Sequence, residues 1–173
     1  IVYINGEYWG IHTTRDRIDE RYIEYLYDID KDLIQFENSW NTALPELFDF
    51  LQNNSLLFDD NFQYVSTQID VDNFIDYAVA QLFYNNYDWP ANNMRMWREL
   101  PSGRWRWILF DIDGGLALEN YNMLHHMAED DPTIQWPNSL SSTFLYRSLI
   151  LNEEFRESLI NRYVELLNTD FQT

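Results

Sequence analysis

A helix with almost no polar face sets the terms for this chain. It starts at Asp70 or Asp72, either of which makes a good N-cap, and runs to about Asn85. Phe74, Ile75, Tyr77, Ala78, Val79, Ala80, Leu82 and Phe83 leave it no stripe wide enough to face water. Such a helix is stable only when other elements enclose it. The chain has the material to do so: of its 173 residues 46% are hydrophobic and 17% aromatic, the reverse of a disordered composition. That length suits one domain, or the larger part of one.

The elements around that helix can be read in order. Residues 1–4 and 8–14 are apolar, aromatic and β-branched, and Asn5-Gly6 between them supplies the positive φ angles of a tight hairpin turn. Residues 15–32 are polar and charged, with a short helix near Glu20–Tyr27. Leu44, Leu47, Phe48 and Leu51 follow helical spacing, Pro45 sits in the first turn, and Asn53-Asn54 ends the segment. Residues 94–99 and 104–111, joined at Pro101-Ser102-Gly103, alternate apolar side chains with arginine and predict a second hairpin with one face buried. An irregular stretch, 120–141, contains Pro132 and Pro137. Two helices close the chain, at 143–151 and 153–168, the second capped by Asn152 with Glu153 and Glu154 in its first turn. The fold class is α+β, mainly helical, with two small hairpins.

Composition removes several classes of function. A formal charge of −18 repels nucleic acid phosphates, so no nucleic-acid partner is expected. No apolar run approaches the roughly 20 residues of a membrane-spanning helix, so no membrane partner is expected either. The absence of cysteine excludes disulfides, thiolate zinc sites and thiol nucleophiles. Of the eleven basic residues only one is a lysine, Lys31, and it lies among Asp28, Asp30 and Asp32.

The chemistry-bearing stretch runs from Asn85-Asn86-Tyr87-Asp88-Trp89-Pro90-Ala91-Asn92-Asn93, through the second hairpin, to Phe110-Asp111-Ile112-Asp113-Gly114-Gly115. A buried helix is followed by a loop with Asp-x4-Asn, two strands, and an acidic turn with glycine. Protein kinases use the same order. One loop then offers a carboxylate to the nucleophile and a neutral oxygen to a cation, and a strand end brings a second carboxylate to that cation. Mg²⁺ takes one or two carboxylates with phosphate oxygens and water, which such a set provides. Taken singly, Asp88 and Asn93 also suit Asx turns around Pro90, and Asp111 and Asp113 also suit a strand end closed by Gly-Gly.

Four ordered blocks resemble the CotH family of atypical, spore-coat-type kinases. They are residues 2–10 (Val-Tyr-Ile-Asn-Gly-Glu-Tyr-Trp-Gly), 88–93 (Asp-Trp-Pro-Ala-Asn-Asn), 105–113 (Trp-Arg-Trp-Ile-Leu-Phe-Asp-Ile-Asp) and 149–156 with the helix that follows. The resemblance implies an atypical protein-kinase-like fold, chiefly its C-lobe-like helical half, and transfer of the ATP γ-phosphate to a protein hydroxyl, serine above all. By motif, Asp88 is the catalytic aspartate, Asn93 a metal ligand, and Asp111 the Mg²⁺ aspartate. Asp113 is a second candidate for that last role, because Asp113-Gly114-Gly115 mimics the corresponding kinase turn. The implied cofactor is Mg²⁺, with ATP as substrate and a protein as partner. The implied setting is secreted, extracellular, or on a spore or cell surface of a bacterium.

The chain also departs from the kinase pattern. Asn86-Tyr87 precedes Asp88 where ordinary kinases have His-Arg, and Asp16 stands where the family often has glutamate. No glycine-rich loop or phosphate-binding lysine is present, and Lys31 among its aspartates is a poor substitute. The expectation is that residues 1–173 are one domain, a part of a larger kinase-like domain whose glycine-rich loop and lysine strand lie upstream. This chain alone is then inactive.

Two other classes remain: a non-catalytic pseudokinase or cell-surface binding module, and a carboxylate-pair hydrolase using Asp111 and Asp113. Lesser features are a calcium-loop-like Asp28-x-Asp30-x-Asp32, spoiled by Leu33 and Ser39, and a His125-His126 pair near Glu129. His12 is expected to be structural. Trp97, Trp105 and Trp107 are expected to pack, while Arg95, Arg98, Arg104 and Arg106 share an outward face.

Overall fold

The computed structural model describes residues 1–10, 16–118, 120–130 and 140–171. The chain divides into two compact units, Ile1–Ile34 and Gln35–Thr173.

In the first unit, β1 (Val2–Ile4) and β2 (Glu7–Gly10) pair antiparallel across Asn5-Gly6. Both turn residues have positive φ, 52° and 86°, as the sequence requires of a two-residue hairpin. Helix α1 (Glu20–Tyr27) is capped by Asp19 and ends at Asp28 in the left-handed region. The three aspartates around Lys31 are used locally. Asp28 closes α1, Asp30 accepts the amide of Asp32, and Asp32 pairs with Lys31 at 2.6 Å. That local use of Asp30 and Asp32, with the Asp28 backbone ending α1, explains why the spacing builds a turn. His12 and residues 11–14 of the expected second strand lie outside the described residues.

The second unit is built around the apolar helix, here α5 (Val71–Phe83). Asp70 is its N-cap, with Oδ1 accepting the Asn73 amide. Only Asp72 and Asp76 along it are exposed. Helix α8 (Glu153–Asn168) packs on it, and α2 (Trp40–Ala43), α3 (Pro45–Asn53), α4 (Asp59–Gln68), α6 (Met123–Ala128) and α7 (Leu140–Leu149) add buried side chains to the same core. Phe74 sits between Trp107 and Phe155, with ring centroids 4.7 and 6.3 Å away. Arg162 ties α8 to α5 through Asp76 at 2.6 Å. Asn152 caps α8 as expected, and also donates to the Leu56 carbonyl from a fully buried position.

The second sheet has the strand order β3 (Ile34–Glu37), β4 (Met96–Glu99), β5 (Arg106–Trp107). Met96 pairs with Trp107 and Trp97 with Arg106. The hairpin differs from expectation in two ways. It buries both faces, since the consecutive Met96 and Trp97 are 0% and 2% exposed. The arginines also do not share one face: Arg98 lies over Trp105 at 4.8 Å, whereas Arg106 lies over Trp97 at 5.5 Å. The cause is common to both differences, because guanidinium planes roof the indoles and remove them from water. The tryptophans therefore pack, as the strand alternation implied.

Trp105 links three elements. Its N–H donates to the Gln68 carbonyl at the end of α4 (3.0 Å), and its carbonyl accepts the amide of Asp70 (2.9 Å). Asp70 Oδ2 in turn accepts from Arg106 Nε at 2.8 Å, with Arg104 at 3.7 Å. The start of the buried helix is thus fixed on the hairpin. Asp70→Ala removes both cap and ion pair and is expected to cost about 2–4 kcal/mol, whereas Asp70→Asn keeps the cap and costs about 1–2 kcal/mol. Urea unfolding of the two variants beside wild type measures the difference.

Candidate functional site

The site begins where α5 stops. Asn85 takes the left-handed conformation, φ 52°, and its N–H donates to the Leu82 carbonyl, while the Asn86 N–H reaches back to Gln81 (3.1 Å). This pair of bonds closes a helix with an asparagine in the place glycine usually takes. The next residues are pinned from below. Asn86 is fully buried and donates through Nδ2 to Gln81 Oε1 (2.8 Å), and its carbonyl accepts the Trp89 amide. Trp89 is 1% exposed and joined to Pro90 by a cis peptide bond. Between these anchors Asp88 is left half-buried, its carboxylate at the surface of the loop.

Asn93 closes the bracket. Its Nδ2 donates to Asp88 Oδ2 at 2.9 Å and to the main-chain oxygen of Asp111 at 3.2 Å. Both partners are acceptors, so the amide nitrogen must face them and Oδ1 faces away. Asn92 adds a second amide to Asp88, 3.3 Å from each oxygen. Asn93 and Asp111 are both left-handed, with φ 53° and 52°, a conformation that Asn and Asp adopt more readily than other side-chain-bearing residues.

The acidic turn docks on the end of α5. Leu116 N–H donates to the Tyr84 carbonyl at 2.6 Å, and Gly115 N–H to Ile112 at 2.9 Å. A Cβ on Gly114 would stand 3.1 Å from Asn86 Oδ1 and 3.6 Å from Asp88 Cβ. The turn and the Asp88 loop are therefore in contact through a glycine.

Of the four residues singled out from sequence, Asp88, Asn93 and Asp111 meet through one amide group. Asp113 lies exposed on the same turn, and its carboxylate makes no hydrogen bond or ion pair among the described residues. Among those residues no three His, Cys, Asp or Glu side chains cluster as a metal cage. The donors here are of another type: the Asn93 amide oxygen and, on the acidic turn whose main chain the Asn93 amide nitrogen contacts, the carboxylates of Asp111 and Asp113. All are hard oxygen donors, few enough to leave coordination positions for phosphate and water. That chemistry fits Mg²⁺ and does not fit zinc or copper.

Tyr77, Gln81 and Asn86 were not assigned to the site from sequence. The signal was a glutamine inside a helix without a polar face. Asn86 Oδ1 is buried without a hydrogen-bond partner, a cost of about 1–3 kcal/mol in an apolar setting, and Gln81 Nε2 and Trp89 Nε1 complete no hydrogen bond although both are near the Tyr77 hydroxyl. The other sequence candidates lie apart. His125 pairs with Glu129 at 3.1 Å, while His126 Nδ1 meets the Tyr121 hydroxyl at 2.7 Å, so the two rings serve different partners. Burial, with His125 nearby, holds the His126 pKa below its ordinary value.

A family profile described as CotH kinase protein matches residues 34–173. The chain belongs to the CotH kinase family. The match spans the second unit and includes Asp88, Asn93, Asp111 and Asp113. It begins at the boundary between units, so the block at residues 2–10 lies outside it. No curated protein and no solved structure matches the chain. At the family level a CotH kinase uses ATP, a metal ion and a substrate to phosphorylate. No helix among the described residues is long and apolar enough to cross a membrane.

The contact of the acidic turn with α5 makes a specific demand on Gly115. An added Cβ would stand 2.9 Å from two backbone oxygens, those of Ile112 and Tyr84. Gly115→Ala is expected to destabilise by about 1–3 kcal/mol, because neither carbonyl can move away cheaply. Thermal unfolding reads the loss, and Gly6→Ala, where nothing lies within 4 Å, is expected to cost only about 1 kcal/mol for its positive φ.

Proposed function

We propose that this chain is the metal-holding half of a secreted-type CotH protein kinase, which transfers the ATP γ-phosphate to a protein hydroxyl, serine above all. The observation that carries this is the single Asn93 amide nitrogen shared by the Asp88 carboxylate and the Asp111 carbonyl. It puts a candidate base, a neutral oxygen ligand and the acidic turn within one hydrogen-bonded group, in the order that phosphoryl transfer uses.

In this proposal Asp88 is the base. Its carboxylate, oriented by the Asn92 and Asn93 amides, accepts the proton of the substrate hydroxyl. The hydroxyl oxygen forms its bond to the γ-phosphorus while the bond from that phosphorus to the β-γ bridging oxygen breaks, and ADP leaves. Asn93 Oδ1 and the Asp111 carboxylate would hold Mg²⁺, with Asp113 close enough in sequence to assist. The ion, when bound, neutralises charge on the phosphate oxygens. Asn93 also keeps the base and the metal ligands in register, since one side chain serves both.

The phosphate-covering loop and its lysine belong upstream of Ile1 in this proposal, and the parent works outside the cell or on a spore or cell surface. The experiment is ³²P transfer from γ-labelled ATP by the longer protein carrying its upstream sequence. Asp88→Ala is expected to lower kcat by about 10²–10⁴, and Asp111→Ala to abolish Mg²⁺-dependent transfer, with the fold intact by circular dichroism. Residues 1–173 alone are expected to transfer nothing. Undiminished transfer by both variants would remove the assignment.

A further inference from the structure

Asn93 can serve two acceptors with one nitrogen only while its left-handed backbone stays put. The support comes from beneath. Tyr77 and Gln81 stand one turn apart on α5 and are 3% and 0% exposed, polar groups on a helix otherwise committed to apolar packing. The Tyr77 hydroxyl donates to the Asn93 carbonyl across a long 3.5 Å. Its ring meets Trp89 edge-on, with centroids 5.7 Å apart and planes at 79°. Gln81 Oε1 accepts the Asn86 amide at 2.8 Å.

These two side chains therefore grip the loop on both sides of Asp88, at Asn86 before it and at Asn93 after it. Burial pushes the Tyr77 pKa up, opposed by the nearby donors of Gln81 and Trp89, so the hydroxyl keeps its proton and stays a donor. Methionine would fill the Gln81 volume without burying an amide nitrogen that completes no hydrogen bond, and phenylalanine would fill that of Tyr77 without burying a hydroxyl. Packing alone does not account for this choice of residues.

We propose that Tyr77 is a positioning residue for this site, its buried hydroxyl fixing the Asn93 turn that aims the Asn93 side chain, with Gln81 doing the same for Asn86. This rests on the assignment of Asp88 and Asn93 to phosphoryl transfer. Loss of the hydroxyl loosens the turn first and the metal requirement follows, because groups behind a ligand set its orientation.

The test uses the longer protein with three variants, Tyr77→Phe, Gln81→Met and Asp88→Ala, and two readouts. Hydrogen–deuterium exchange without metal or nucleotide is expected to rise about tenfold over residues 86–94 in Tyr77→Phe, with α7 and α8 unchanged. The half-saturating Mg²⁺ concentration for ³²P transfer is expected to rise about tenfold, at unchanged KM for the protein substrate. Wild-type exchange over 86–94, a rise spread evenly over every helix, or an unchanged Mg²⁺ requirement each overturns the proposal. If Tyr77→Phe does not fold, Gln81→Met carries the same expectations. A fully active Asp88→Ala sinks the assignment of the base. A dead Asp88→Ala beside a Tyr77→Phe with wild-type exchange and Mg²⁺ response sinks only the positioning role.

Discussion

Enclosing α5 is the constraint from which the rest of the second unit follows. A thirteen-residue helix that exposes only Asp72 and Asp76 needs a cover on nearly every side. The chain provides it with α8, the tryptophan-rich hairpin and a core to which the other helices contribute. Both ends of the helix are then fixed by polar contacts. At the start, Asp70 is cap, ion-pair partner and hydrogen-bond donor to Trp105. At the end, Tyr84 receives the Leu116 amide and Gln81 receives Asn86. A loop that leaves such a helix starts from a well-defined place, which is what a site shared between that loop and the acidic turn requires.

Much of this was legible in the sequence because the physics was local. The positive φ at Asn5-Gly6, the caps at Asp70 and Asn152, and the apolar periodicity of α5 and α8 each depend on a few neighbouring residues. The elements that were missed lack such signals. Helix α4 has Phe58 at its N-cap with no side-chain bond and only Phe62 and Val65 buried, so its periodicity is faint. Helix α6, in the stretch read as irregular, has six residues and lives on its Asn122 cap and two buried methionines. Strand β3 is four residues long and exists through its neighbour β4. The second hairpin was misjudged for a different reason. Arginine reads as solvent-facing in an alternation pattern, yet here its plane covers indole, and no count of polar residues separates the two uses.

The site divides along the same line. The order of its parts was visible, since spacing along the chain is sequence information. Its hinge was not, because the shared Asn93 nitrogen depends on two left-handed residues eighteen positions apart, at 93 and 111. The buried polar atoms Asn86 Oδ1, Gln81 Nε2 and Trp89 Nε1 point the same way. Polar atoms kept in a core at a cost to stability belong where a loop must be held still, and Asn86 and Trp89 flank Asp88 along the chain. The family match, confined to residues 34–173, covers this whole arrangement.

The proposal that Asn93 and Asp111 share one cation, with Asp88 beside it and uncoordinated, has a direct test. Crystals of the longer protein grown with Mn²⁺ and a non-hydrolysable ATP analogue would locate the ion by its anomalous signal. The account predicts a peak within coordination distance, about 2 Å, of Asn93 Oδ1 and of an Asp111 carboxylate oxygen. A peak that touches neither residue, or one that draws the Asp88 carboxylate into coordination, would contradict it.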